Sequence, residues 1–547
     1  MHLCILGADN TRQNNLNHYD YVKKKRSVNM ANSIQIEKKD NVVVLTEDVK
    51  AGETVTIQGL KETYIAREDI GVGHKMAIAP IKNGESVIKF GIPIGPTMSD
   101  VAVGDWISAH NIKNDAVKAG EESRKRVRES GRRIMAFTRA DGRFGVLNVV
   151  MVIPASPDCN SVAEAISDAT GCAWMCCNRL QLENGKVSEY TRMALGYTGC
   201  NPNIHSVLIL RGTSERETAE YIYQLIEKTG KPIQVLDVTT EVDYAIREGV
   251  TIVKDLLVDA AEQKRESCSI DGLAITVHNN GSDWSSPLAA NPTVGHAMDL
   301  LIRDGGRAFH AQYQTLSGSE DIMAAKCVSR EVALKLLAKV EYTRASVLEE
   351  TGAPIEMMNM HPSPYNIQTG VSTLLEKGYG MVQKYGKSPI QGLLGYCEQP
   401  PHNGLWMNTH DNVSPPTSAI YGSVQGAHMH IMTTSAGFLY YEIPHMIGIR
   451  VTSNDETFNN PEYKKDFNAF FALKDGVEKA GEKLYQLVLD VAEGKVIPKS
   501  EVDKQKVFHM WYHITAEFGG NMDRSGRIPS SSKDYAESVK KYTDLVK

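Results

Sequence analysis

The sequence predicts an α/β protein: a small N-terminal all-β module, then two α/β domains with mainly parallel sheets. Three observations carry this. The chain has 547 residues, too many for one hydrophobic core. Residues 33–113 hold short extended runs separated by turn residues, the pattern of a small β module. From about residue 134, apolar strand-like runs alternate with amphipathic segments, and the alternation restarts at 272. That pattern belongs to parallel sheets covered by helices.

The elements follow in order. Residues 1–32 contain one short apolar patch with no basic residue before it, too short for a secretion signal. They are expected to be a flexible extension or a start-site artefact, with Met30 opening the chain proper. Within 33–113, Asn41–Leu45, Glu53–Ile57 and Val87–Ile94 read as extended, with a turn at Ala51-Gly52-Glu53. Residues 114–133 are charged and lack apolar periodicity, so they read as a linker. The middle domain, 134–270, is predicted to hold strands at 146–155, 206–210 and 233–238. Its helices are predicted at 161–170, 215–229 and 243–264. The C-terminal domain, 271–500, is predicted to hold strands at 272–277, 307–311, 404–408, 428–434 and 447–452. Helices are predicted there at 293–304, 330–351, 369–386 and 463–493. A helical tail, 501–547, carries no visible site chemistry.

Composition removes several classes. The apolar fraction of 42% is ordinary for a globular protein. A net charge of −6 gives no electrostatic case for nucleic acid. No apolar run reaches the ~18 residues of a membrane-spanning helix. Nine cysteines without framework spacing fit a reducing compartment, so the cytoplasm is expected.

The chemistry concentrates in a few places. The apolar run Leu273–Val277 empties into His278-Asn279-Asn280-Gly281-Ser282-Asp283. The chain then passes Asn291-Pro292 into a predicted helix. Open α/β sheets place ligand groups at strand carboxyl ends, so this loop is the main candidate site. In the β module, His74, Lys75, Lys89 and His110 offer proton-transfer groups and cations for a carboxylate. Arg143, after Gly142, has the fork geometry of a carboxylate clamp. Ser363-Pro364-Tyr365-Asn366 is either a polar contact surface or an ordinary helix cap. Glu398, His402, His410, Asp411, His428 and His430 crowd into 392–437, a donor set for a hard or borderline divalent ion.

Five regions together resemble the altronate/galactarate dehydratase family. They are Gly73-His74-Lys75 with Val87–Gly95 and His110-Asn111; Arg139-x-Asp141-Gly142-Arg143-x-Gly145…Asn148; Gly281-Ser282-Asp283 with Ala290-Asn291-Pro292; Ser363-Pro364-x-Asn366; and the stretch 392–437. In that family the N-terminal module is a SAF-type domain. The chain departs from the family pattern at several cysteine positions. Trp174-Met175-Cys176-Cys177-Asn178 replaces a His-x-x-Gly-Cys segment, and His278-Asn279-Asn280 replaces Gln-Cys-Gly. Arg211-Gly212-Thr213-Ser214-Glu215 stands where the family has Gly-Cys-Glu, and Ser435-Ala436-Gly437 replaces Gly-Arg-Gly.

The resemblance implies a lyase that dehydrates a hydroxylated carboxylic (sugar) acid to a 2-keto-3-deoxy acid. The alternatives are a sulfo-lyase-like elimination releasing sulfite, and a non-catalytic descendant that still binds sugar acids. On this reading His74, His110, Lys75 and Arg143 form the catalytic set. Lys89, Asn111, Asn279, Ser282, Asn291, Ser363 and Asn366 contact substrate. His278, Asp283, Glu398 and His410 hold Mg²⁺, Mn²⁺ or Fe²⁺. No iron–sulfur cluster is expected, because cluster ligation needs convergent thiolates. The expected partner is a small hydroxy acid, not nucleic acid or membrane, with a homo-oligomer left open.

Overall fold

The structure is a computed structural model. It describes residues 31–113, 131–177, 182–183, 186–187, 189–213, 216–310, 313–316, 318–351, 362–408, 415–436 and 442–509. The calls on 1–30, most of the linker, His410, Asp411 and the tail beyond 509 lie outside these residues.

The N-terminal module contains eight short strands: β1 (Ser33–Ile34), β2 (Val42–Leu45), β3 (Thr54–Thr56), β4 (Thr63–Ile65), β5 (Lys75–Ala77), β6 (Ser86–Lys89), β7 (Ile92–Pro96) and β8 (Trp106–Ile107). All of its strand ladders are antiparallel. The described end of the linker enters β9 (Arg133–Thr138), which pairs with β10 (Phe144–Gly145).

The middle domain contains β11 (Val149–Pro154), β12 (Ala173–Cys176), the antiparallel pair β13 (Leu182–Glu183) and β14 (Lys186–Val187), β15 (Ile204–Arg211) and β16 (Ile233–Asp237). Helices Asn160–Thr170, Arg216–Glu227 and Val242–Glu262 fall close to their predicted positions. Just before the predicted domain limit at 270 lies β17 (Glu266–Ser269), antiparallel to β9. Its polar side chains are tolerated because they alternate on a small, partly exposed sheet.

The C-terminal domain holds a seven-stranded parallel sheet. Its strands are β18 (Ala274–Asn279), β19 (Arg307–His310), β20 (Ile390–Leu394), β21 (Gly404–Asn408), β22 (Met429–Thr433), β23 (Ile447–Thr452) and β24 (Phe467–Asn468). Their order is β20-β21-β19-β18-β22-β23-β24. Every β18 residue is buried, as expected for a central strand covered on both faces. Ile275 and Val277 join Val294, Leu337 and Val488 on one side. Ala274 joins Phe309 and Trp406 on the other, in a core shared with Met151 and Ile153 of the middle domain.

Three expectations fail for local reasons. The predicted helix 463–493 is β24 followed by helices Ala472–Asp475 and Val477–Ala492. Gly476, at φ 92°, separates the helices. The 369–386 segment is helical only over Leu374–Val382, with a 3₁₀ turn at Gln383–Tyr385. The beginning of the predicted helical tail is a 3₁₀ turn, Lys499–Asp503, and then β25 (Val507–His509). That strand pairs in parallel with β12, giving the middle-domain sheet the order β16-β15-β11-β12-β25. A three-residue strand carries no readable period.

The module docks on the helix Leu374–Val382. Leu375 and Tyr379, one turn apart, enter the module core with Val42, Ala77 and Val87. Between them, fully buried Glu376 takes Lys75 Nζ at 2.9 and 3.1 Å and Lys89 Nζ at 2.6 Å. Lys75 also donates to Gly370 O and Ser372 Oγ, both at 3.0 Å. Burial pushes the Lys75 ammonium down to about 8. Burial alone would push Glu376 up, but the two lysines and the Ser372 N–H hold its carboxyl at about 2.

Candidate active site

In an open parallel sheet, the ligand crevice lies where successive crossovers diverge to opposite sides, at the carboxyl ends. From β18 the chain crosses to β19 on one side, while β22 lies on the other. The crevice is therefore bounded by His278-Asn279 and by Thr433-Thr434-Ser435. Local bonds close this region. Asn280 N donates to Thr433 O, and Ser435 N and Oγ donate to Gly281 O, all at 2.9 Å. Gly281, at φ 62°, permits the turn.

Asp283 organises the loop. Its Oδ1 accepts from Ser285 N (2.9 Å), Ser285 Oγ (2.6 Å), Ser286 N (3.1 Å) and Ser286 Oγ (3.1 Å). Its Oδ2 accepts from Asn454 at 3.2 Å. The carboxylate thus satisfies the first turn of Ser286–Ala290, which leads directly into the helix Asn291–Arg303.

One lysine of the Leu374–Tyr385 segment, Lys384, bonds the crevice, and a second, Lys377, bonds Asn366 beside it. Lys384 is buried, and its Nζ donates to Asn279 Oδ1 at 2.8 Å and to Thr433 Oγ1 at 3.5 Å. Among the described residues no carboxylate pairs with it. Burial, followed by the charge of Lys377, pushes its pKa well below the ordinary lysine value. Burial thus favours the neutral amine, the form that can accept a proton. Lys377, about two helical turns earlier, donates to Asn366 Oδ1 at 3.0 Å; burial lowers it to about 8. His310, at the end of β19, packs 4.4 Å from the Tyr385 ring. Its Nε2 meets no partner among the described residues. Burial holds this imidazole neutral.

The structure brings some expected residues to the crevice and assigns them other work. Asn279 holds Lys384. Asn291 joins Gly380 O, at 2.9 Å, to the Thr433 hydroxyl, at 3.3 Å. Ser363 and Asn366 form a reciprocal capping box, and Asn366 also donates to Ser282 O at 2.6 Å. The ordinary-cap reading therefore describes their local geometry.

His74 lies beside this wall. Its Nε2 donates to Gln368 O at 3.3 Å, and its Nδ1 accepts from the Trp106 indole at 3.1 Å. Burial and neighbouring Lys75 push its pKa down. With both nitrogens engaged, it is not placed as a base. Lys75 and Lys89 face Glu376 rather than an incoming carboxylate. His110 is exposed and packs against Trp106, while Asn111 bonds Ser108 N and Trp106 O within a turn.

Arg143 lies at the opposite end of the sheet, and Glu398 lies just past the carboxyl end of β20, three strands from β18. Arg143 bonds Asp141, Cys200 O and Gln399. The adjacent Phe144 carbonyl meets His428, just before β22 begins. A strand of that length separates Arg143 from the crevice by about 15 Å. Exposed Glu398 caps the Gly395 N–H. Among the described residues the expected metal ligands do not converge, and the fourth, His410, lies outside them. Asp283 is bonded into the loop, Glu398 is remote, and His278 Nε2 faces His430 Nδ1 at 3.1 Å. No group of three His, Cys, Asp or Glu side chains suited to a metal occurs among the described residues. The described donors do not fit the ion, and no step is routed through one.

Sequence reasoning missed Lys377, Lys384 and His310. The available signal was two lysines seven apart in the otherwise largely apolar run Leu374–Tyr385.

Comparison with known proteins follows the same domain order. Residues 31–115 match the altronate/galactarate dehydratase SAF domain. Residues 136–261 match the D-galactarate dehydratase/altronate hydrolase second domain, and 270–516 match the D-galactarate/altronate dehydratase C-terminal domain. An altronate dehydratase of Bacillus subtilis is 27% identical over 498 residues, covering 87% of this chain and 97% of the relative. An Escherichia coli altronate dehydratase is 25% identical, covering 80% and 90%. The (2R)-sulfolactate sulfo-lyase subunit beta of Chromohalobacter salexigens is 27% identical, covering 67% and 94%. Fold, site and matches together define a carbon–oxygen lyase of the hydro-lyase class. The chain belongs to the altronate/galactarate dehydratase family. No described helix is long and apolar enough to cross a membrane.

Proposed function

We propose that this chain dehydrates a polyhydroxy carboxylic acid to the corresponding 2-keto-3-deoxy acid at the β18/β22 crevice. The observation that carries the reading is Lys384: a buried amine at the switch point, held by Asn279 and unpaired with any described carboxylate. Family membership supports the reaction class. A proton α to a carboxylate is weakly acidic, so its removal needs a base and stabilisation of the developing enediolate. Neutral Lys384 is the base. Lys377, still mostly ammonium at neutral pH, supplies the fixed positive charge for the carboxylate. His310 offers a neutral hydrogen-bonding group on the same side of the sheet. Asn279 aims the amine, and the buried surroundings strengthen each electrostatic contact.

The test is a panel of aldonic and aldaric acids, with a 2-hydroxy-3-sulfo acid alongside. Formation of 2-keto acid without sulfite is expected from a sugar acid. Sulfite release with no dehydration of any panel acid would overturn the proposed product and leaving group.

A further inference from the structure

We infer that the buried series His278–His430–Glu442 delivers the proton that the departing β-hydroxyl needs, with His278 as the catalytic acid. The inference rests on the dehydratase reading and extends it to a second reacting group. His278 Nε2 lies 3.1 Å from His430 Nδ1, and His430 Nε2 lies 2.6 Å from Glu442 Oε2. Arg450 holds the other carboxylate oxygen at 2.8–3.0 Å and is itself anchored on Asp503 at 2.7 Å.

These contacts order the hydrogens along the series. The arginine keeps Glu442 ionised, so the carboxylate only accepts and His430 Nε2 must carry a hydrogen. His430 Nδ1 and His278 Nε2 share the hydrogen that lies between them. The proton-exchanging nitrogen of His278 is therefore Nδ1. When Nδ1 is protonated, Glu442 offsets the charge through His430. The backbone makes room for this arrangement. A Cβ on Gly448 would lie 2.2 Å from Glu442 Oε2 and 2.6 Å from His430 Nε2.

Placement gives the series a catalytic part. His278 precedes Asn279, so their side chains leave β18 on opposite faces. Asn279 holds the base; burial first, then His430 and Lys384, disfavour charge on His278, so the proton it gives up is drawn through His430. Base and acid therefore flank the end of one strand. In the reaction, neutral Lys384 takes the α proton. The Cβ–O bond breaks with its electron pair on oxygen, which takes the Nδ1 proton and leaves as water. The enol then becomes the ketone: the Lys384 ammonium returns its proton to Cβ, and the enol hydroxyl returns one to His278. Both groups are restored.

A buried polar network could instead serve packing alone, and the leaving group separates the two roles. Fluoride departs without a full proton transfer. The probes are the panel acid that the unsubstituted chain dehydrates fastest and its 3-deoxy-3-fluoro analogue. His278→Gln is expected to slow water loss by about 100-fold or more, the usual contribution of a general acid. Fluoride release should stay within about fivefold in that variant. Glu442→Gln should follow the same pattern with a smaller loss. Equal losses for both leaving groups would overturn the inference. The unsubstituted chain supplies a control needing no variant: the solvent deuterium isotope effect should be larger for water loss than for fluoride loss, and equality would refute the acid role. An unsubstituted chain that dehydrates no panel acid overturns the dehydratase reading itself.

Discussion

Replacing Glu376 by Gln should loosen the N-terminal module without unfolding the domains it covers. Glu376 is the shared counter-charge of Lys75 and Lys89, and all three side chains are fully buried. An intact buried ion pair adds little net stability, but removing one partner leaves charge without compensation and costs about 3–5 kcal/mol. Gln keeps the size and one carbonyl acceptor, so the effect isolates the charge. Native-state hydrogen exchange is the assay, on peptides spanning 73–77 and 368–377 at the docking surface. The stated cost corresponds to exchange faster by roughly two to three and a half orders of magnitude.

The pH dependence has two limbs of known sign. Glu376 is held at about 2, below its ordinary value. Its contribution is present above the unfolded carboxyl pKa and is lost as pH falls towards 2. Lys75 is pushed down to about 8. Its burial cost is full below 8 and is relieved as pH rises from about 8 towards the ordinary lysine value. Acceleration below about fivefold in Glu376→Gln would show that the lysines are neutral or otherwise compensated, and would refute the ion-pair account of docking.

Other substitutions test the site. Lys377→Met should raise KM more than it lowers kcat, because it removes the fixed cation. In the unsubstituted chain, kcat/KM should fall as pH rises through about 8 and Lys377 loses its proton; Lys377→Arg should move that limb upward. Asp283→Ala strands the Ser285 and Ser286 donors and should destabilise the C-terminal domain by about 2–4 kcal/mol in urea titration. Arg143→Lys should leave both kinetic constants within about threefold, since Arg143 lies at the far end of the sheet; a hundredfold fall would return it to the site.

The crevice was legible because its strand and loop announce themselves locally. The apolar run before His278 and the Asn291-Pro292 helix entry lie within one short window. The proposed base was not legible. Lys384 sits in a segment that the sequence marks only as part of a predicted helix, 369–386, and its burial comes from tertiary contacts with β18 and β22. Lys75 and Lys89 had the right chemistry for a carboxylate. That carboxylate proved to be Glu376, 301 and 287 residues away, beyond any local pattern. Arg143 misled for a related reason. A Gly-Arg turn reads the same at either end of a sheet, and the His428–Phe144 contact that fixes its end is tertiary. His430 and Glu442 were hidden similarly. Their alignment depends on strand register and on the missing side chain of Gly448.

The central claim is that Lys384 removes the α proton. Its most direct measurement is the washout of deuterium from substrate labelled at Cα, followed in Lys384→Met beside the unsubstituted chain at matched substrate occupancy. Washout should fall by at least about a thousandfold, with folding and substrate binding retained. Washout within tenfold of the unsubstituted chain would contradict the assignment of the base.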